Sequence, residues 1–222
     1  MAVLALAGFV ALALTAAAQQ FSALDYQTRA LVHLTRLPLL DPAMNGVSRL
    51  GENYGLIPLI AFGVAILWRP SRRWAIALPV LMAGTGALQF VAKWAIDRPR
   101  PNLAAWGFPS GHVLSLVVLF GLMTYLLAIS TSTRHWRWLG YAGCAATVVA
   151  VAFSRLYLEA HWVTDVAGGV TLGIAYLLLA ICLVETIARR RVAARLHGSE
   201  AKIHLADDER RGADVDPVVV AV

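Results

Sequence analysis

Residues 108–130 read FPSGHVLSLVVLFGLMTYLLAIS, a short polar turn followed by eighteen residues without a charge. As an α-helix rising about 1.5 Å per residue, that run approaches the roughly 30 Å hydrocarbon thickness of a bilayer. It is one of six apolar runs, at 1–18, 54–68, 74–92, 113–130, 138–153 and 163–187. The chain of 222 residues agrees as a whole, being 59% hydrophobic and only 14% charged, where a soluble domain carries roughly 25% charged residues. Charge is also unevenly placed: residues 1–187 hold 12 Lys and Arg with 7 Asp and Glu, and the remaining 35 residues hold 7 and 6. The pattern predicts an all-α polytopic membrane protein of six transmembrane helices over 1–187. A tail over 188–222, basic and then acidic, lacks apolar periodicity and is expected to be disordered and cytoplasmic.

Working outward from 113–130, the seven tryptophans (68, 74, 94, 106, 136, 138 and 162) fall at or just beyond the ends of the runs, where an interfacial aromatic belt belongs. Arginines 69, 72 and 73, then 134 and 137, then 189, 190, 191 and 195 occupy segments without acidic residues. They lie on one side if six helices alternate, and that side reads as cytoplasmic. The first run ends in Thr15-Ala16-Ala17-Ala18, which resembles a cleavage site, but no basic residue precedes it; an uncleaved helix is favoured. The run 54–68 is short and contains Pro58 and Gly63. Between them, Phe21, Leu24, Leu31, Leu34 and Leu37 recur at helical spacing before Pro38, which predicts an outward amphipathic helix lying on the bilayer surface or bordering a lipid entrance. The net charge of +6 sits in short clusters between apolar runs, not on a polar domain, so no nucleic-acid partner is expected. Cys144 and Cys182 lie inside apolar runs and read as core residues, with no metal site.

Three groups of polar residues stand at the outward helix ends. An ionisable residue at membrane depth costs about 2.5–3.5 kcal/mol on insertion scales, so such groups point to function. The first is Lys93-Trp-Ala-Ile-Asp97-Arg98-Pro99-Arg100-Pro101, whose Lys93 is the sole lysine before Lys202. Alone, Lys93 would pass for a snorkelling interface residue. The second is Pro109-Ser110-Gly111-His112, where a hydroxyl, a glycine backbone and helix-start N–H groups form a possible phosphate cradle, or simply a helix cap. The third runs from Ser154-Arg155 through Glu159 to His161 and Asp165. His161 and Asp165 are four apart and share a helical face, so the carboxylate can accept from one imidazole nitrogen and leave the other free as nucleophile or base. Two histidines, a lysine, two or three arginines and one carboxylate arriving on one side make sense around a shared anion of about −2, a phosphate.

Lys93, six residues, Arg100-Pro101; Pro109-Ser110-Gly111-His112; and Ser154-Arg155, five residues, His161, three residues, Asp165 together resemble the tripartite signature of type 2 phosphatidic acid phosphatases. These are integral-membrane lipid phosphatases related to vanadium haloperoxidases, and their six-helix fold agrees with the six runs. The resemblance implies that His161 attacks phosphorus and forms a phosphohistidine, oriented by Asp165, while His112 protonates the leaving oxygen. It implies that Lys93, Arg100, Arg155, Ser110 and the Gly111 N–H hold the phosphoryl oxygens, with no metal or other cofactor. Spacing favours Arg100 over Arg98, which leaves Arg98 in an outer shell. Glu159 stands where the family often has glycine; it would tune substrate choice or pair with Arg98. The implied substrate is a phosphorylated membrane lipid at the outer face of a bacterial-type inner membrane: undecaprenyl pyrophosphate, phosphatidate or phosphatidylglycerophosphate, or lipid A. The short link 102–108 leans towards an isoprenyl pyrophosphate. Lipid-to-lipid phosphotransfer at the same site and a non-catalytic anion transporter are the other readings; a transporter calls for charges along a path, whereas these gather at one depth.

Overall fold

The computed structural model describes residues 1–130 and 133–213, with side chains as far as residue 194. Eight α-helices are present among the described residues: α1 (Ala2–Ala17), α2 (Ala23–Leu34), α3 (Asp41–Ser48), α4 (Asn53–Leu67), α5 (Arg72–Ile96), α6 (Gly111–Ile129), α7 (Arg134–Tyr157) and α8 (Val163–Ala213). Six of them coincide with the six apolar runs. Four, α5, α6, α7 and α8 over Val163–Ala194, are long and apolar enough to cross a bilayer by themselves. The segment Pro38–Gly51 joins α4 through a bend of 49°, and counting that pair gives up to five spans. The expected sixth, α1, has 16 residues, about 24 Å of helix. The chain divides into two compact units, Met1–Ala180 and Ile181–Val222. In the second, the backbone is helical to Ala213, and residues 214–222 of the expected disordered tail lie outside the described residues.

In the first unit α6 packs against α5 and α7, and α4 against α5. The buried centre holds Trp74, Leu78, Leu114, Leu116, Val118, Leu122 and Val151. Side chains such as Ile76, Val80, Phe90 and Val91 on α5 stay exposed, as expected where lipid is the solvent. Close approach of α8 to α6 depends on glycines: a Cβ on Gly169 would lie 2.6 Å from the Ser110 carbonyl oxygen, and one on Gly173 would lie 2.8 Å from Val117 Cγ1. That contact sets the start of α8 beside the start of α6. Cys144 is half-buried and Cys182 exposed, both with free thiols, so neither belongs to the core as the sequence suggested.

The connection between α1 and α4 carries the amphipathic helix that the leucine spacing predicts. It is built of α2, a 3₁₀ turn at Pro38–Leu40, α3 and a second turn at Arg49–Gly51. Ser22 caps α2 in a reciprocal box with Asp25. Leu24, Leu31, Leu34 and Leu37 are all more than half exposed. The polar face of α2 is the one that packs inward, with Asp25 buried to 1%.

Candidate active site

The end of α5, the starts of α6 and α8 and the end of α7 deliver the three motifs to one end of the first unit. Helix α5 stops because Asp97 adopts the left-handed conformation (φ 41°, ψ 47°) and its N–H bonds Lys93 O at 2.9 Å. Pro99 and Pro101 then bar further helix. The chain folds back on itself, Gly107 N–H donating to Arg98 O at 2.6 Å and Arg100 N–H to Ala104 O at 2.8 Å. A Cβ on Gly107 would lie 2.8 Å from Arg98 O and 3.3 Å from Asp165 Oδ2, so this close return needs glycine. The Trp106 carbonyl accepts from Lys93 Nζ at 2.6 Å and from Arg100 at 3.5 Å. Asp97 accepts from Trp106 N–H at 3.3 Å.

Arg98 and Arg100 lie two residues apart and face different surroundings. Arg98 is 1% exposed and donates to Asp165 Oδ1 at 2.7 Å, Thr164 Oγ1 at 2.6 Å, Gln20 O at 2.9 Å and Asp25 Oδ2 at 3.1 Å. Its guanidinium also sits 4.7 Å from the Phe21 ring centre. Asp165 in turn accepts from Trp162 N–H at 2.9 Å and stands 3.5 Å from His161 Nδ1. Its backbone carbonyl takes the Ser110 N–H at 3.0 Å, locking the second motif to the third. Asp25 caps the start of α8 through Thr164 N–H at 3.0 Å and the Thr164 hydroxyl at 2.8 Å. Burial alone would push the Asp25 carboxyl up, but Thr164, the Ser22 N–H and Arg98 outweigh it and hold it below the ordinary range.

His161 lies in the loop between α7 and α8 and is 3% exposed. Burial pushes it down to about 4, with Lys93 and Arg155 acting in the same direction and Asp165 against them. It is therefore neutral near pH 7, the state a nucleophile needs. Glu159, two residues before, adopts a left-handed φ of 51°, a conformation that favours glycine and costs a glutamate on the order of 1 kcal/mol. It pairs with Arg29 Nε at 2.9 Å and with His33 Nε2, both on α2. The hydrogen bond from Arg29 chiefly holds its carboxyl below the usual range. The alternative pairing of Glu159 with Arg98 is not formed, because Arg98 is already committed to Asp25 and Asp165.

His112, on the first turn of α6, lies among the cations Arg155, Lys93 and Arg100 and beside His161. Ser110 is fully buried as the residue preceding α6. Sequence reasoning missed the opposite wall, the segment 48–52. Ser48 Oγ accepts from Arg155 at 2.5 Å, Glu52 Oε1 stands 3.8 Å from His112 Nε2, and a Cβ on Gly51 would lie 2.7 Å from His112 Cβ. A cavity of about 340 Å³ opens beside His112, lined by Glu52, Tyr54, Gln89, Gly111 and Ser115 among others. A further cleft of about 230 Å³, walled by Ile57, Ile60, Pro79 and Met82, shares Asn53, Leu56, Gln89 and Ser115 with it.

Arg98 Nε, Arg100 Nε, Arg155 Nε, Ser110 Oγ, His112 Nε2 and His161 Nδ1 are buried without a hydrogen-bond partner among the described residues. Buried polar groups are normally satisfied, so Arg100 Nε, Arg155 Nε, Ser110 Oγ and His112 Nε2 together mark a site shaped for a further ligand, while Arg98 Nε and His161 Nδ1 lie on the Asp165 side. The cluster is cationic, with the single catalytic-motif carboxylate, Asp165, already bonded from behind. Such an array suits an anion with several oxygens and would repel a metal ion. Among the described residues no group of three or more His, Cys, Asp and Glu stands ready to ligate one.

Comparison with known proteins fits this geometry. A family model described as PAP2 superfamily matches residues 74–189, more than half of the chain. Phosphatidylglycerophosphatase B of Bacillus subtilis is 32% identical over 168 residues, covering 71% of this chain and 82% of that protein. An undecaprenyl-diphosphatase of Sulfolobus acidocaldarius is 27% identical over 168 residues, covering 70% and 76%. The crystal structure of the transmembrane PAP2 type phosphatidylglycerolphosphate phosphatase from Bacillus subtilis superposes with a TM-score of 0.70 at 28% identity, over 82% of this chain and 96% of that one.

Proposed function

The chain belongs to the PAP2 superfamily and is an integral membrane protein of the lipid phosphatase kind, and on that premise we propose that it removes a terminal phosphate or pyrophosphate group from a membrane lipid through a phosphohistidine on His161. The observation that carries the reading is the set of unpartnered donors around His112 and His161. Arg100 and Arg155 grip phosphoryl oxygens in forks, Lys93 adds a point charge, and Ser110 Oγ with the Gly111 N–H adds neutral donors. His161 turns Nδ1–H towards Asp165 Oδ2, 3.5 Å away, and attacks phosphorus with the Nε2 lone pair. The bond from phosphorus to the lipid-side oxygen breaks, and that oxygen takes its proton from His112. Water then attacks phosphorus, the P–N bond breaks, and His112 accepts the water proton as phosphate leaves. Fixed cations oppose the charge of the transferring group throughout.

The two joined cavities support a lipid substrate: the polar one borders His112 and the apolar one lies between α4 and α5. The candidate lipids are undecaprenyl pyrophosphate, phosphatidate, phosphatidylglycerophosphate and lipid A, with the site facing outward. The test is phosphate release by full-length protein in detergent with EDTA, across these four lipids. Release that persists in EDTA and falls by about 10³-fold or more in His161→Ala is expected. No inorganic phosphate from any of them contradicts hydrolysis, and phosphate appearing on an acceptor lipid instead identifies a transferase. Millimolar vanadate is expected to inhibit.

A further inference from the structure

We propose that one face of α2, Asp25, Arg29 and His33, braces the nucleophile-bearing segment 157–165, and that Asp25 is a positioning residue that keeps Asp165 available to His161 by sharing Arg98. The inference rests on the assignment of His161 as nucleophile and adds residues that none of the three motifs contains.

The three residues are spaced four apart and so share a helical face. That face touches the segment at both of its ends. Arg29 and His33 hold Glu159, which occupies a left-handed backbone conformation two residues before His161. Asp25 holds the first turn of α8 through the N–H and hydroxyl of Thr164, one residue before Asp165. Between them, Arg29 lies 5.7 Å from the Trp162 ring, and the Phe21 and Tyr26 rings lie 5.0 and 5.7 Å from it. Beyond α2 the same arrangement continues: Tyr157 OH donates to Leu37 O at 2.8 Å and accepts from Leu37 N–H at 3.0 Å.

The charge pattern gives Asp25 a role distinct from capping. Arg98 is one cation between two carboxylates, 3.1 Å from Asp25 Oδ2 and 2.7 Å from Asp165 Oδ1. In a buried setting an arginine with a single carboxylate neutralises it. Asp25 takes part of that guanidinium, so the Asp165 carboxylate retains charge for the His161 Nδ1–H on its other oxygen. Thr164 Oγ1 bridges the set, accepting from Arg98 at 2.6 Å and donating to Asp25. Orienting partners one step removed from the reacting group typically matter by about 10- to 100-fold.

The test compares wild type, Asp25→Asn, Asp25→Glu and Thr164→Val as full-length protein in detergent. The readouts are kcat, KM, vanadate inhibition, the rate of phosphoenzyme formation and the thermal midpoint. Asp25→Asn is expected to slow phosphoenzyme formation and kcat by about 10- to 100-fold, with KM and vanadate inhibition within twofold of wild type, because the phosphate-binding donors are untouched. Asp25→Glu is expected to recover part of kcat. Thr164→Val, which leaves both charges in place, is expected to lower kcat by roughly 3- to 10-fold and decides the matter if Asp25→Asn fails to fold. Wild-type kcat in Asp25→Asn or Thr164→Val, whatever the thermal midpoint, overturns the proposal, as does parallel loss of kcat and vanadate inhibition. Retention of activity by His161→Ala overturns the underlying assignment instead, and is read independently of α2.

Discussion

The two sides of the His161–Asp165 pair are built from the same kinds of residue and behave oppositely. Behind Asp165, Arg98 finds four acceptors and every oxygen of Asp25 and Asp165 is bonded. In front of His161, Arg100 reaches only one long contact to Trp106 O, and Ser110 Oγ, His112 Nε2 and Arg155 Nε have no hydrogen-bond partner among the described residues. Two arginines, two positions apart, thus differ: the nearly saturated Arg98 spends both terminal nitrogens on four acceptors and keeps only Nε unpartnered, while Arg100, with one long contact, is the one proposed to meet substrate. Buried polar groups reward complete satisfaction and penalise partial satisfaction, so the contrast supports the His161 face as the proposed substrate side.

The contrast breaks if the two arginines respond alike to truncation. Arg98→Met leaves Asp25 and Asp165 buried and uncompensated, and a loss of about 3–5 kcal/mol in stability is expected, read as a large fall in the thermal midpoint. Arg100→Ala is expected to lower turnover by about 10²-fold while leaving the midpoint near wild type. Equal midpoints for both variants would dissolve the distinction between the walls.

Acid sharpens it further. An ordinary histidine in the unfolded chain takes a proton near 6.5, whereas buried His161 refuses one until about 4. Between those values the unfolded state binds more protons, so the contribution is full above about 6.5 and is lost as pH falls towards 4. The thermal midpoint of wild type is expected to decline across that window, and that of His161→Gln to decline less. The smallest effect belongs to Glu52, 3.8 Å from His112 but 40% exposed at its side chain. A screened pair of that kind is weak, and Glu52→Gln is expected to lower turnover by only about two- to threefold.

The residues proposed to meet substrate could be named from the sequence, and the fold brings them together, because chemistry and spacing coincide there. Lys93, Arg100, Ser110, His112, Arg155, His161 and Asp165 each stand at a helix end that apolar runs delimit. The saturated wall was not legible, since Asp25 meets Arg98 across 73 positions and Thr164 across 139, and no local period encodes such a contact. Periodicity did show α2 as amphipathic, but not that its polar side would turn inward. Glu159 had one signal, a charged residue where the family often has glycine; its left-handed φ and its partners on α2 account for it. Six apolar runs became six helices, of which α1 and α4 are too short to count as spans alone.

The most direct test of the account is to trap the enzyme midway. Rapid quenching of wild type with a ³²P-labelled lipid phosphate is expected to yield a phosphoprotein stable to alkali and labile to acid, with the label on His161 and absent from His161→Ala. Rapid turnover without any labelled protein, or a label that persists in His161→Ala, would contradict it.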